Sequence, residues 1–265
     1  MATSTRSPAV RAGRGSLLAV AYAVVCYLLF LAVFGYAVAF LTGTVVPRDV
    51  DRGGHVTGAM AAVGLDSLLL AVFAVQHSLM ARPAFKRWWT TVVPRHVERS
   101  TYVLAASLSL ALLFWQWRPV PAVVWDVPAP WARGLVWAAY GAGWAWVLAM
   151  SFAIDHVDLF GLSQVVRRLR GLADRAPAFA SPLPYRLMRH PMMIGFFVAF
   201  FAAPTMTVGH LVFAGLGSAY IVGAVRLEER DLAADLPEYD AYAAATPRFV
   251  PRHPRVVRRG RAEAG

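Results

Sequence analysis

The stretch Tyr185-Arg-Leu-Met-Arg-His-Pro-Met-Met-Ile-Gly195 gathers Arg186, Arg189 and His190 where the chain is about to enter a long apolar segment. Pro191 suits the first turn of a helix, where a missing N–H costs nothing. The start of such a helix carries partial positive charge and free N–H groups, which favour carboxylate or phosphate. Arg and His at a helix end also serve as plain interfacial anchors, so this stretch alone leaves both readings open. Three further polar clusters border apolar segments: His77-Ser78, Asp155-His156-Val-Asp158 and Glu228-Glu229-Arg230-Asp231. Ionisable groups beside a membrane core are costly and mark sites more often than in soluble proteins. Consecutive carboxylates on a helix point roughly 100° apart. One of Glu228 and Glu229 is thus free to pair with Arg189 or to bind a cationic or hydroxyl-bearing ligand, while the other faces water or lipid headgroups. Tyr239 and Tyr242, three residues apart, share a helix face and suit stacking on a flat ring.

Other chemistries have weaker support. His77, His156, His190 and a Glu make a conceivable metal set, but no H-x-x-x-H or E-x-x-H pair supports it, and no metal is expected. A Ser-His-Asp hydrolase built on Ser78 or Ser181 lacks the G-x-S-x-G elbow. Gly141-Ala-Gly143 sits inside an apolar span rather than after a strand, which excludes a soluble dinucleotide-binding domain. The single cysteine, Cys26, excludes an internal disulfide and Cys-rich metal sites and reads as a small buried hydrophobe.

The elements that must position these clusters are membrane helices. Of 265 residues, 58% are hydrophobic and only 15% are charged, and mean hydropathy is +0.51. That composition belongs to a polytopic membrane protein. Apolar runs at 16–41, 58–80, 101–117 and 131–154 predict four spans. The run 192–225, with Ala203-Pro-Thr-Met-Thr-Val-Gly209 near its middle, predicts a tight hairpin of two passes of roughly 17 residues each. The fold class is therefore an all-α integral membrane protein of about six transmembrane helices with a short C-terminal helical hairpin. With the N-terminus inside, 22 basic residues fall in cytoplasmic segments against four outside, Arg48, Arg52, Arg118 and Arg133. This satisfies the positive-inside rule and places both termini, and all four polar clusters, on the cytoplasmic side. The net charge of +11 is spread between spans, which favours a bilayer with anionic headgroups as partner over nucleic acid. ARPAFKRWWTTVVPRHVERS and LFGLSQVVRRLRGL read as segments lying in the interface, the second through Leu159, Leu162, Val166 and Leu169. Residues 1–15 read as a flexible basic N-terminus, 16–251 as a single membrane domain, and 252–265 as a basic disordered tail.

YRLMRHP at 185–191, EE at 228–229, YDAY at 239–242 and PRFVP at 247–251 stand in an order that resembles the isoprenylcysteine carboxyl methyltransferase superfamily. The resemblance implies that the C-terminal part, 181–251, binds S-adenosylmethionine at the cytoplasmic face. It assigns cofactor binding to Tyr185, Arg189, His190, Pro191, Gly195, Glu229, Tyr239 and Tyr242. QHSLMARPAFKRWW (76–89), ERSTYVLAASLSLALLFWQWRP (98–119), IDHVDLFGLSQV (154–165) and APTMTVGHLVFA (203–214) are similar to bacterial methanethiol S-methyltransferases. NnrU-like membrane proteins share the His-Ser and Arg-His-Pro elements. The implied reaction, in a bacterial inner membrane, moves a methyl group from S-adenosylmethionine to the small volatile thiol methanethiol, giving dimethyl sulfide and S-adenosylhomocysteine. One departure is Met193, where the superfamily usually has Tyr. A thiol reacts as its thiolate, so His77, His156 and Glu228 are candidate bases or orienting groups, with Arg189 completing the catalytic set. The cationic sulfonium suits a carboxylate and aromatic faces. Two alternatives are methylation of a lipid or prenyl-cysteine carboxylate and a non-enzymatic NnrU-like role.

Overall fold

A computed structural model describes residues 14–43, 45–55, 57–173 and 182–250. Most of the expected N-terminal segment, the tail, Ser181 and Pro251 lie outside the described residues. The chain forms an integral membrane protein built from helices. Five are long and apolar enough to cross a bilayer: α1 (Arg14–Phe40), α2 (Ala59–Ala81), α4 (Arg95–Gln116), α5 (Pro130–Ile154) and α10 (Val208–Asp235). Shorter helices decorate their ends: α3 (Pro83–Trp89), α6 (His156–Leu159), α7 (Leu162–Leu169), α8 (Leu183–Leu187) and α11 (Glu238–Ala245). The sixth membrane element is α9 (Pro191–Phe201).

The C-terminal hairpin exists but is not divided into equal passes. Helix α9 has 11 residues, about 16 Å, against a hydrocarbon core of about 30 Å. It stops at Ala202 because Pro204 follows two residues later and cannot donate to a continuing helix. Thr205–Thr207 then forms a short strand, β2, antiparallel to β1 (Val123–Asp126), with Val123 opposite Thr207 and Asp126 opposite Thr205. Thr207 ends the strand and starts the next helix. Its side chain accepts from the His210 N–H at 3.1 Å, a helix N-cap, and α10 then runs for 28 residues. His210, buried, bonds through Nε2 to the Phe200 carbonyl at 3.0 Å, one of the groups left over where α9 breaks off.

Packing is explained by small residues on one contact and aromatics on the others. Helices α5 and α9 lie against each other. A Cβ on Gly195 would sit 2.7 Å from the Gly143 carbonyl oxygen, and one on Gly143 would sit 2.9 Å from that of Gly195. Both backbones approach as closely as only glycine allows. Around this seam, Phe40, Phe114, Trp117, Trp144, Phe200 and Phe213 form the main core, shared by α1, α4, α5, α9 and α10. Helix α1 packs on α4, and α2 lies between α4 and α10. In helix α7 the residue packed into the bundle is Val165, next to the expected Val166. It lies against Ala19 and Ala23 of α1.

The two ends of the bundle are tied differently. At one, the buried Asp66 accepts from the Arg118 N–H at 2.9 Å, Asp49 pairs with Arg52 at 3.0 Å, and Trp117 Nε1 donates to the Val50 carbonyl. At the other, Arg82 at the end of α2 pairs with Asp231 near the end of α10 at 2.7 Å. The latter end carries the conspicuous polar motifs.

Candidate active site

The Arg-His-Pro stretch folds as an extended crossing between α8 and α9. Pro191 takes the first helical position of α9, as its sequence predicts, and its carbonyl accepts from Trp146 Nε1 at 2.8 Å. The two residues before it are held by the chain's last described segment. The Arg189 N–H donates to the Pro247 carbonyl at 2.9 Å, and the His190 N–H donates to the Arg248 carbonyl at 3.1 Å. Arg189 and His190 thereby point at α10.

Glu229 is the hub of this arrangement. Its carboxylate accepts from Arg189 Nε at 2.8 Å, contacts His190 Nε2 at 3.0 Å, and takes both Nε and Nη2 of Arg248. Arg189 Nη1 reaches the Ala243 and Thr246 carbonyls, which lie at the end of α11. Three segments therefore meet on one nearly buried carboxylate, and Arg189 ties a fourth, α11, to them. Arg248 belongs to the PRFVP ending, and its place as the second arginine on Glu229 is not read from the sequence. Only its Pro-Arg-x-x-Pro context marked it.

Glu228 has the opposite character. Its side chain is 52% exposed, and its one ion-pair contact among the described residues is His190 Nδ1 at 4.0 Å. Of the two neighbouring acids, Glu229 pairs with Arg189 and Glu228 stays open. Its charge acts on Tyr185 and Tyr239 on one side and on Tyr102 and Tyr220 on the other. Burial, aided by this charge, pushes the Tyr185 phenol up and Tyr239 up to about 12, so both remain donors at neutral pH. The Tyr185 hydroxyl is buried with no hydrogen-bond partner among the described residues. Tyr242 donates to the Tyr185 carbonyl, and Tyr239 is 4% exposed, with its ring 5.9 Å from that of Tyr242. The two tyrosines are thus packed together, and Tyr239 presents no open face for stacking.

On the far side of Glu228, α2 and α4 place His77 against Tyr102. The phenol oxygen lies 2.9 Å from Nε2 and 3.2 Å from Nδ1, while Phe73 stacks on the imidazole at 5.2 Å and the Tyr220 ring meets it edge-on. Arg99 covers the other region of Tyr102 at 5.1 Å. Apolar neighbours Met80, Val103, Phe85 and Phe160 close this side.

Two predicted residues take other roles. His156 lies in a separate pocket, bonded through Nε2 to Tyr27 and through Nδ1 to Ser151, each at 2.8 Å, with Phe152 stacked on its ring at 4.2 Å. Both nitrogens are engaged, and burial holds the imidazole below its ordinary value, so it stays neutral. Phe160 touches His156 and also packs on the Met80–Tyr102 cluster, separating it from His77. Asp155 caps α6, accepting from the Asp158 N–H at 3.1 Å, which explains the Asp-His-x-Asp spacing as a helix start. Gly195, expected at the cofactor, is instead the contact glycine against α5: Gly143 and Val147 already fill the space beside it. Met193 packs against the main core.

A site with an open carboxylate, an unpartnered phenol and a nearby imidazole in aromatic surroundings can hold a cationic ligand and take up a proton beside it. The NnrU protein family matches residues 67–249. Methanethiol S-methyltransferase of Mycobacterium tuberculosis is 52% identical over 83% of this chain and 89% of that protein. Methanethiol S-methyltransferase 1 of Bradyrhizobium diazoefficiens is 48% identical over 88% of this chain and 82% of that protein. Mouse Nurim is 32% identical over 65% of this chain and 69% of that protein. No solved structure matches the chain. The span and level of these similarities, across every element that builds the site, establish that the chain belongs to the NnrU family and to the methanethiol S-methyltransferases within reach of it.

Proposed function

We propose that this protein methylates the sulfur of methanethiol with S-adenosylmethionine as donor, at the face of the bundle that carries Glu228. The observation that carries the proposal is the similarity, over 83–88% of the chain, to relatives bearing that activity in their names. The geometry supports it. S-adenosylmethionine supplies, when bound, a methyl group on a cationic sulfonium, together with hydroxyl and ammonium groups. The open Glu228 carboxylate and the Tyr185 hydroxyl, which has no hydrogen-bond partner among the described residues, are the groups that fit such a ligand. Glu229, Arg189 and Arg248 do not face it as free charges; they fix the position of His190 and Glu228.

The thiol side is the His77 pocket. Methanethiol is small and apolar, and the walls there are Phe73, Tyr102 and Tyr220. His77 takes the thiol proton on a ring nitrogen, and the Tyr102 phenol, within hydrogen-bond distance of both nitrogens, holds the ring in place. With the donor bound, its methyl group would pass to the thiolate sulfur as the sulfonium C–S bond breaks, and the products would be dimethyl sulfide and S-adenosylhomocysteine. Charge is cancelled as this happens, so an aromatic, water-poor setting favours the transition state. On this reading the site and both termini lie on the cytoplasmic side of a bacterial inner membrane, which the excess of arginine in the segments at that end supports.

Headspace gas chromatography on purified protein in lipid, given both substrates, tests the reading. Dimethyl sulfide that requires both substrates is the expected result, and His77→Ala should lower turnover at least ~100-fold, the usual scale of general-base loss. Binding of S-adenosylmethionine without product from methanethiol would overturn the choice of acceptor and direct the search to larger carboxylates.

A further inference from the structure

Helices α2 and α10 diverge on the outside of the bundle and leave an open groove of about 470 Å³ lined by Ala74, Val75, Ser78, Tyr220, Gly223 and Leu227, with Arg226 and Arg230 also on its wall. The volume is that of an ordinary small-ligand site. Its long axis is apolar and floored by backbone. A Cβ on Gly223 would meet nothing within 4 Å, so the slot reaches down to the helix itself. Val75 and Leu79 of α2, on either side of Ser78, are exposed, as expected for a face turned to hydrocarbon.

The charges sit at one end only. Arg226 and Arg230, four residues apart on α10, share a helix face, and neither has an ion-pair partner among the described residues. The neighbouring Arg82 is different, because its charge is spent on Asp231 at 2.7 Å. Two uncompensated guanidiniums therefore overhang an apolar slot at the level where lipid headgroups begin. Deeper in, Ser78 Oγ contacts the Tyr220 hydroxyl at 3.4 Å, one donor pair within reach of an ester oxygen.

We infer that this groove is a binding site for an anionic glycerophospholipid, whose phosphate lies on Arg226 and Arg230 and one of whose acyl chains lies along Gly223 between α2 and α10. Charge complementarity selects this occupant. A neutral lipid leaves both guanidiniums unanswered, and a free anion leaves the apolar slot empty. The site is independent of the methyl-transfer reading, since it is defined by binding alone. Tyr220 nevertheless belongs to both, with its hydroxyl on the groove and its ring on His77. The bound lipid thus closes the outer wall of the thiol pocket.

The test is native mass spectrometry of the full chain released from nanodiscs holding equal amounts of phosphatidylglycerol and phosphatidylcholine. Phosphatidylglycerol should be retained selectively. The double change Arg226→Gln, Arg230→Gln should lower its retention roughly thirtyfold, from two headgroup-level charges. Gly223→Leu, which fills the slot without touching charge, should lower it too; Ala74→Phe does the same from the α2 wall if Gly223→Leu folds poorly. Equal retention of both lipids would overturn the headgroup assignment. Loss with the arginine variants but full retention with both slot-filling variants would overturn the groove and leave only surface attraction. S-adenosylmethionine binding, measured in parallel by calorimetry, should be unaltered in every variant. Its absence in the wild-type protein would count against the methyltransferase reading and not against the lipid site.

Discussion

Glu228 and Glu229 are adjacent in sequence and of the same type, and the fold gives them different work. Glu229 accepts from two arginines and touches His190, so its loss should be structural. Arg248→Gln removes one of those cations and should lower stability by about 1–2 kcal/mol, within the range for a hydrogen bond to a charged group and kept modest by the partial exposure of Arg248. Thermal unfolding in detergent would read this, and an unchanged midpoint would show the clasp to be redundant. Glu228→Gln keeps shape and should leave the unfolding midpoint where it is, while reducing S-adenosylmethionine affinity about tenfold in calorimetry. A variant that binds normally but unfolds early would reverse the two assignments. The distinction was half legible in the sequence. Two neighbouring acids on a helix had to face different ways, and Arg189 was the named partner for one. Arg248 lies 19 residues beyond Glu229, across a turn whose path no periodicity reports. His77 and Tyr102 likewise meet only because α2 lies beside α4, a fact outside the reach of either helix's own pattern.

Among the elements, the long apolar runs were readable because a bilayer demands about 20 apolar residues in sequence and little else. The division of 192–225 was not. Hydropathy there is continuous, and the break falls where Pro204 ends one helix and Thr207 caps the next. The ribbon of β1 and β2 was unforeseen for a similar reason: four residues and three carry too little alternation to be noticed. The α5–α9 seam offers the sharpest test at this scale. Gly195→Ala places a methyl 2.7 Å from backbone that cannot step aside. Overpacking of this kind should cost about 1–3 kcal/mol and lower the unfolding midpoint. Gly215→Ala, on α10 where nothing lies within 4 Å, should be neutral or slightly stabilising through its helix preference. Equal behaviour of the two variants would mean the helices are not as close as described.

For the molecule as a whole, the arrangement of the Arg189–Glu229–Arg248 clasp sets an order in time. Residues 247 and 248 hold the backbone of 189 and 190 in place, and they leave the ribosome almost sixty residues later. All five long helices can be made, inserted and packed before that segment is available. A chain halted at residue 246 would therefore possess its membrane-spanning bundle and its glycine seam. It would have Glu229 without its second arginine and the Arg-His-Pro crossing without the segment that seats it. Completion of the site thus follows assembly of the bundle, so a half-made bundle never carries a finished pocket.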